Sequence, residues 1–94
     1  MDLGIRGRVA LVTAASRGLG YAVAEQLAEE GVKVAICSRD EDRINEAKNK
    51  IEQNKDGEIS AYAVDVTDGP AVEKMINDIT GKYGKIGLGF VTAF

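Results

Sequence analysis

The sequence predicts an α/β fold in which a parallel sheet is covered by helices. Three observations predict it. Short apolar runs alternate with longer segments of helical period, giving strand-helix-strand-helix-strand-helix-strand. The first two runs are continuously apolar, as strands buried on both faces are. The runs are separated by helix-length segments rather than tight turns, so each connection crosses over and neighbouring strands run parallel. The order expected for such a sheet is 3-2-1-4, with a ligand crevice at the carboxyl ends beside strand 1.

Residues 8–13 form the first apolar run, followed by a small-residue turn. Residues 18–30 have helical period, with Leu19, Val23 and Leu27 at i, i+4 and i+8 and Gly31 as the terminating glycine. Residues 33–37 are the second strand. Residues 40–53 are the second helix, with Ile44, Ala47 and Ile51 on one face, and Ser38 with Glu41 fits a capping box at its start. A turn over 54–57 leads to the third strand, 58–64. Thr67 or Asp68 caps a third helix that tolerates Pro70 in its first turn. Its apolar stripe is Val72, Met75, Ile76, Ile79 and Tyr83. Residues 86–94 are an apolar fourth strand, weakened by Gly87 and Gly89.

The bulk numbers narrow the function. The 94 residues are read as one domain, 1–94, with 45% hydrophobic and 29% charged residues. A net charge of -3 without a basic cluster argues against nucleic acid. No apolar run is long enough to span a membrane, and the first residues lack a signal-peptide pattern. One cysteine, Cys37, rules out an internal disulfide and points to a reducing, cytoplasmic compartment; its apolar flanks make it a small core residue. The absence of histidine removes His-based metal sites and triads. The charge runs at Glu29-Glu30 and 40–43 read as solvated faces.

Three places carry chemistry. The turn from Thr13 through Ala14, Ala15, Ser16 and Arg17 to Gly18, Leu19 and Gly20 lets backbone approach a pyrophosphate at a helix N-terminus. Gly20 has no side chain to hold helix and strand apart. Taken alone, the turn is also what any tight strand-to-helix connection looks like. At the end of the second strand, where an acid would read a ribose 2′-hydroxyl, stand Ser38 and Arg39. A guanidinium there pairs with a 2′-phosphate or stacks on adenine, and Arg17 approaches from the first turn, which favours NADP over NAD. The alternative is two solvated arginines. Asp40 either reaches the ribose or serves the N-terminal end of the second helix. After the third strand, Asp65-Val66 either receives an adenine amino group or caps the turn into Thr67.

Together these residues resemble the short-chain dehydrogenase/reductase family, nearest to its 3-oxoacyl-acyl-carrier-protein-reductase-like members. Thr13 to Gly20 is similar to that family's Thr-Gly-x-x-x-Gly-x-Gly turn, with Ala14 in place of the first glycine. Arg39 matches the basic residue of NADP-preferring members, and Asp65-Val66 matches the adenine-contacting pair. The lead-in Lys82-Tyr83-Gly84-Lys85-Ile86 is similar too, so the likeness covers about residues 3–86. The resemblance implies a Rossmann-like fold, about half of it present. It implies cofactor contacts from Thr13, Ala14, Ser16, Arg17, Gly18, Leu19, Gly20, Ser38, Arg39, Asp65 and Val66.

Two departures qualify it. Ala14 costs about 1 kcal/mol or more if that position needs positive φ. After Ile86 such a member continues into Asn-Asn-Ala-Gly, and its Tyr-x-x-x-Lys, Ser and Asn lie further along. Here Tyr21, Tyr62 and Tyr83 are followed four places later by Glu25, Val66 and Gly87. The expectation is an NADP(H)-binding N-terminal portion, truncated or frame-shifted, without catalytic residues and inactive alone. The alternative is a non-catalytic nucleotide-binding or self-assembling module, a homo-oligomer through the apolar segment 86–94. A sugar-nucleotide epimerase or methyltransferase fits less well, because those have another glycine spacing or an acid after strand 2.

Overall fold

The computed structural model describes residues 8–13, 18–53 and 58–90, with the backbone alone for 88–90. The elements are β1 (Val9–Thr13), α1 (Gly18–Glu29), β2 (Lys33–Ser38), α2 (Glu41–Glu52), β3 (Ile59–Ala63), α3 (Gly69–Tyr83) and β4 (Leu88–Phe90). The sheet is parallel throughout, in the order β3-β2-β1-β4. Type, sequence and strand order agree with the expectation, and boundaries differ by one or two residues except in β4. That strand is short: Gly87 N–H already donates to the Val9 carbonyl at 3.0 Å before it begins. The rest of the expected fourth strand, 91–94, lies outside the described residues.

Register places the strand ends level. Thr13 stands opposite Cys37, and Ser38 opposite Ala63, so β1, β2 and β3 finish at one edge. Two cores form, one on each face. Ala10, Val12, Val34, Ile36 and Ile59 meet Ala24, Leu27 and Ala28 of α1 and Ile44, Ala47 and Ile51 of α2. On the other face, Val9, Ala35 and Cys37 meet Met75 and Ile79 of α3, with Leu11, Tyr62, Val64, Val72, Tyr83 and Ile86 packed around them. Cys37 is fully buried there, as its apolar flanks imply.

Helix α1 corrects one expectation. The spacing of Leu19, Val23 and Leu27 suggests a common inner face, yet Leu19 is 57% exposed and Val23 only partly buried. The inner face is Gly20, Ala24, Leu27 and Ala28. Small residues one helical step away bring the helix axis closer to the sheet than a stripe of larger side chains would. Gly20 is buried in that close approach.

The helix ends follow from their caps. At the end of α1, Gly31 has φ +83°, its N–H donates to the Ala28 carbonyl at 3.1 Å, and Val32 N–H donates to the Leu27 carbonyl at 3.1 Å. These paired bonds around a left-handed glycine satisfy carbonyls that the helix leaves open. Helix α2 corrects the capping expectation. Its N-cap is Asp40, in extended backbone, whose Oδ1 accepts from Arg43 N–H at 3.0 Å. Ser38 still belongs to β2, so its Oγ reaches only the Asp40 N–H, at 3.1 Å. Asp68 caps α3 by accepting from Ala71 N–H at 3.3 Å, with Pro70 in the first turn.

Polar side chains pin α3 to edge strand β3. Tyr62 Oη donates to Asp78 Oδ2 at 2.6 Å, and the Ser60 and Tyr83 hydroxyls share a hydrogen bond. Lys82 Nζ lies 6.0 and 5.9 Å from the ring centroids of Tyr62 and Tyr83. Burial, then the carboxylate of Asp78, pushes the Tyr62 phenol far upward, so it stays protonated.

Two substitutions test this packing by urea unfolding. Ile36→Ala empties a fully buried site between α1, α2 and the sheet and is expected to cost about 2–5 kcal/mol. Gly31→Ala is expected to cost about 1–2 kcal/mol from left-handed strain alone. Both lower the midpoint at unchanged slope; an unchanged midpoint for Gly31→Ala would contradict the cap.

Candidate nucleotide site

β1 lies between β2, reached through α1 on one face, and β4, reached from β3 through α3 on the other, and the crevice of such a switch point opens at the carboxyl edge. Thr13, Gly18 at the start of α1, Ser38-Arg39 before α2 and Asp65-Val66 after β3 all belong to that edge. Ala14, Ser16 and Arg17 of the predicted site lie outside the described residues.

Gly18 has φ +68° and nothing within 4 Å of the place a Cβ would occupy. Its conformation, not crowding, demands glycine. Among the described residues nothing fills the space beside it, where the first amides of α1 are without helical acceptors. Thr13 is 6% exposed at the strand end. Leu19 and Val66, at 57% and 53% exposure, are the exposed large hydrophobics among the described residues. Single exposed apolar residues are ordinary, but both of these stand at this edge.

The β2 end is polar. Ser38 is half-buried, and its Oγ accepts from Asp40 N–H, leaving the hydroxyl proton for another acceptor. Arg39 is exposed and, among the described residues, has no carboxylate within ion-pair distance. Asp40 serves the N-terminal end of α2. Oδ1 caps α2, and Oδ2 lies 3.5 Å from Arg43 Nε.

Asp65 caps the turn into Thr67, one of the two roles its place in the sequence allows. Its Oδ1 accepts from Thr67 N–H at 2.9 Å and from Thr67 Oγ1–H at 2.7 Å. These bonds, backbone first and hydroxyl second, hold the carboxyl below its ordinary range, and the Arg39 charge adds to them. Arg39 and Asp65 are thus brought within electrostatic reach across the ends of β2 and β3. Capping uses one oxygen; Oδ2 has no partner among the described residues. The Asp-x-Thr spacing is the sequence signature of this side-chain turn.

Other clusters stand elsewhere. Ser60, Lys82 and Tyr83 come together at the opposite, amino edge, near a recess of ≈ 550 Å³ lined by Arg8, Val9, Tyr83, Lys85, Ile86 and Gly87. Tyr21 Oη donates to Glu25 on α1 at 3.5 Å. Among the described residues no three acidic or cysteine side chains gather as metal ligands, and no helix is long and apolar enough to cross a membrane.

Thr67→Val removes the hydroxyl donor and keeps the backbone one. A carboxyl held low adds stability that is present above its unfolded value and is lost as pH falls through the lowered folded value. Carboxyl NMR titration is expected to show Asp65 in Thr67→Val moving up toward its ordinary value, with a smaller share of the stability lost on acidification. An unmoved Asp65 would refute the anchoring role.

Comparison with known proteins identifies the family. The short chain dehydrogenase profile matches residues 8–91. An uncharacterized oxidoreductase of Staphylococcus saprophyticus is 38% identical over 84 residues, covering 89% of this chain and 36% of that protein. The L-sorbose reductase of Gluconobacter frateurii, solved with NADPH and L-sorbose, superposes with a TM-score of 0.93 at 31% identity, covering 100% of this chain and 36% of the reductase. An F189W actinorhodin polyketide ketoreductase solved with NADPH gives 0.87 at 27% identity, covering 99% and 35%. The chain therefore spans about a third of the length of these relatives. With its parallel 3-2-1-4 sheet and a profile match over most of its length, the chain belongs to the short-chain dehydrogenase/reductase family, of which it forms the N-terminal, Rossmann-like part.

Proposed function

We propose that this chain is the NADP(H)-binding N-terminal portion of a reductase acting on carbonyl or 3-oxoacyl groups. The observation that carries this reading is the β2 end: a half-buried serine hydroxyl and an exposed Arg39, without an ion-pair partner among the described residues, stand where an acid would select a 2′-hydroxyl. The open Gly18 turn and the exposed Leu19 and Val66 at the same edge support it. So do the NADPH complexes of the L-sorbose and polyketide reductases.

In this reading the Thr13–Gly20 turn, with Ala14, Ser16 and Arg17, holds the pyrophosphate. Ser38, Arg39 and Arg17 hold the 2′-phosphate. Asp65 Oδ2 accepts from the adenine amino group while Leu19 and Val66 cover apolar surface. The nicotinamide, when bound, supplies a hydride. The chain's own residues bind and orient; its tyrosines, Tyr21 on α1, Tyr62 on β3 and Tyr83 at the end of α3, offer no Tyr-x-x-x-Lys pair. The 94-residue chain by itself is accordingly inactive. A second reading, a self-associating module, is favoured by β4, a three-residue strand at the sheet edge. It makes the chain a homo-oligomer through 86–94, visible in sedimentation equilibrium.

Calorimetric titration with 2′,5′-ADP and 5′-ADP tests the first reading. The 2′-phosphate is expected to tighten binding, and Arg39→Ala to weaken 2′,5′-ADP roughly 10- to 100-fold while sparing 5′-ADP. Equal affinity for the two ligands would overturn it. Turnover of a carbonyl substrate with NADPH by the 94-residue chain would overturn the claim of inactivity.

A further inference from the structure

The segment that would meet the 2′-phosphate is not electropositive by count. Arg39 and Arg43 are outnumbered by Asp40, Glu41 and Asp42. Of these acids, Asp40 matters most. It follows Arg39 directly, about 20 residues beyond Gly20, at the spacing where a carboxylate selects a ribose 2′-hydroxyl. Left outward, it would compete for Arg39 and repel a phosphate dianion.

The structure turns it away. Both of its oxygens are directed at one residue: Oδ1 accepts from Arg43 N–H at 3.0 Å, and Oδ2 sits 3.5 Å from Arg43 Nε. Its own N–H is held by Ser38 Oγ at 3.1 Å, which fixes the backbone between strand and helix. Arg39 in consequence has no acidic partner within ion-pair distance among the described residues. Building on the 2′-phosphate reading above, we propose that Arg43 determines cofactor specificity by occupying and neutralising Asp40 Oδ2, which keeps Arg39 available to the phosphate. Arg43 is a positioning residue and does not itself touch the nucleotide.

The two contacts of Asp40 separate cleanly. Capping uses the backbone N–H of residue 43, which any side chain there retains, so Arg43→Gln keeps α2 capped and strips only the Oδ2 partner. Asp40→Asn keeps a capping oxygen and removes the charge. The pair is half-exposed, so the effect is bounded by what exposed pairs deliver, a shift of up to about 5-fold.

Wild type, Arg43→Gln, Asp40→Asn and the double variant are titrated with 2′,5′-ADP and 5′-ADP, with circular dichroism confirming equal helix content. Arg43→Gln is expected to lower the preference for 2′,5′-ADP by about 3- to 5-fold, weakening 2′,5′-ADP and tightening 5′-ADP, whose 2′-hydroxyl can donate to the released carboxylate. Asp40→Asn abolishes this sensitivity, so the double variant keeps the wild-type preference. Loss of affinity for both ligands alike would assign Arg43 only a general charge effect and overturn the proposal, as would an unchanged preference. If Arg39→Ala lowers 2′,5′-ADP binding while Arg43→Gln does nothing, this proposal alone falls. If wild type fails to distinguish the ligands, the 2′-phosphate reading falls first and takes this one with it.

Discussion

The parallel pairing of β1 with β2 is the constraint from which the rest follows. Parallel neighbours cannot be joined by a tight turn, so each connection must cross over through a helix. Each helix therefore starts where a strand has ended. The five-residue register from Val9 opposite Lys33 to Thr13 opposite Cys37 puts the starts of α1 and α2 side by side. The same pairing brings Val12, Val34 and Ile36 together on one face and Val9, Ala35 and Cys37 on the other. Stability and the candidate site thus share one cause: the strand alignment that fills the cores also levels the edge on which the polar groups stand.

At that edge the chain separates charges that composition mixes. Acids outnumber bases around residues 39–43, and Asp65 adds another within reach of Arg39. Local hydrogen bonding sorts them. Asp40 is turned into α2, Asp65 Oδ1 is held by Thr67, and Asp68 is held by the first turn of α3. None of these contacts is strong alone, since exposed caps and pairs contribute on the order of 1 kcal/mol or less. Their effect is directional: carboxylates serve their own turns, and among the described residues no acid comes within ion-pair distance of Arg39.

The seam between α3 and β3 has another character. Tyr62, Asp78, Ser60, Tyr83 and Lys82 tie the last turns of α3 to β3. A serine, a tyrosine and a lysine meet there, but at the far end of the strands from the nucleotide edge, with Lys82 over ring faces. Their proximity is explained by holding a helix to an edge strand. Position in the fold, more than the set of residue types, separates a candidate site from a fastening.

Much was legible in the sequence because periodicity is local. Continuous apolar runs, helical stripes and Gly31 define strands, helices and a helix end without reference to distant residues. The nature of the edge was legible too, because Ser38-Arg39 and Asp65-Val66 stand at fixed distances from the first turn. Tertiary structure decided what depends on neighbours. Ser38 and Asp40 are equally competent caps, and only the length over which β2 pairs with β3, to Ser38 opposite Ala63, makes Asp40 the cap. Leu19 shares the apolar period of α1, but close contact through Gly20, Ala24 and Ala28 turns it outward to the site. Asp65 could serve a turn or a ligand, and the bonds to Thr67 commit Oδ1 to the turn, with no partner for Oδ2 among the described residues. The sequence by itself determined the family and the placing of the edge, since both rest on spacing along the chain; the tertiary structure decided which oxygen and which face each residue presents, because that depends on what packs beside it.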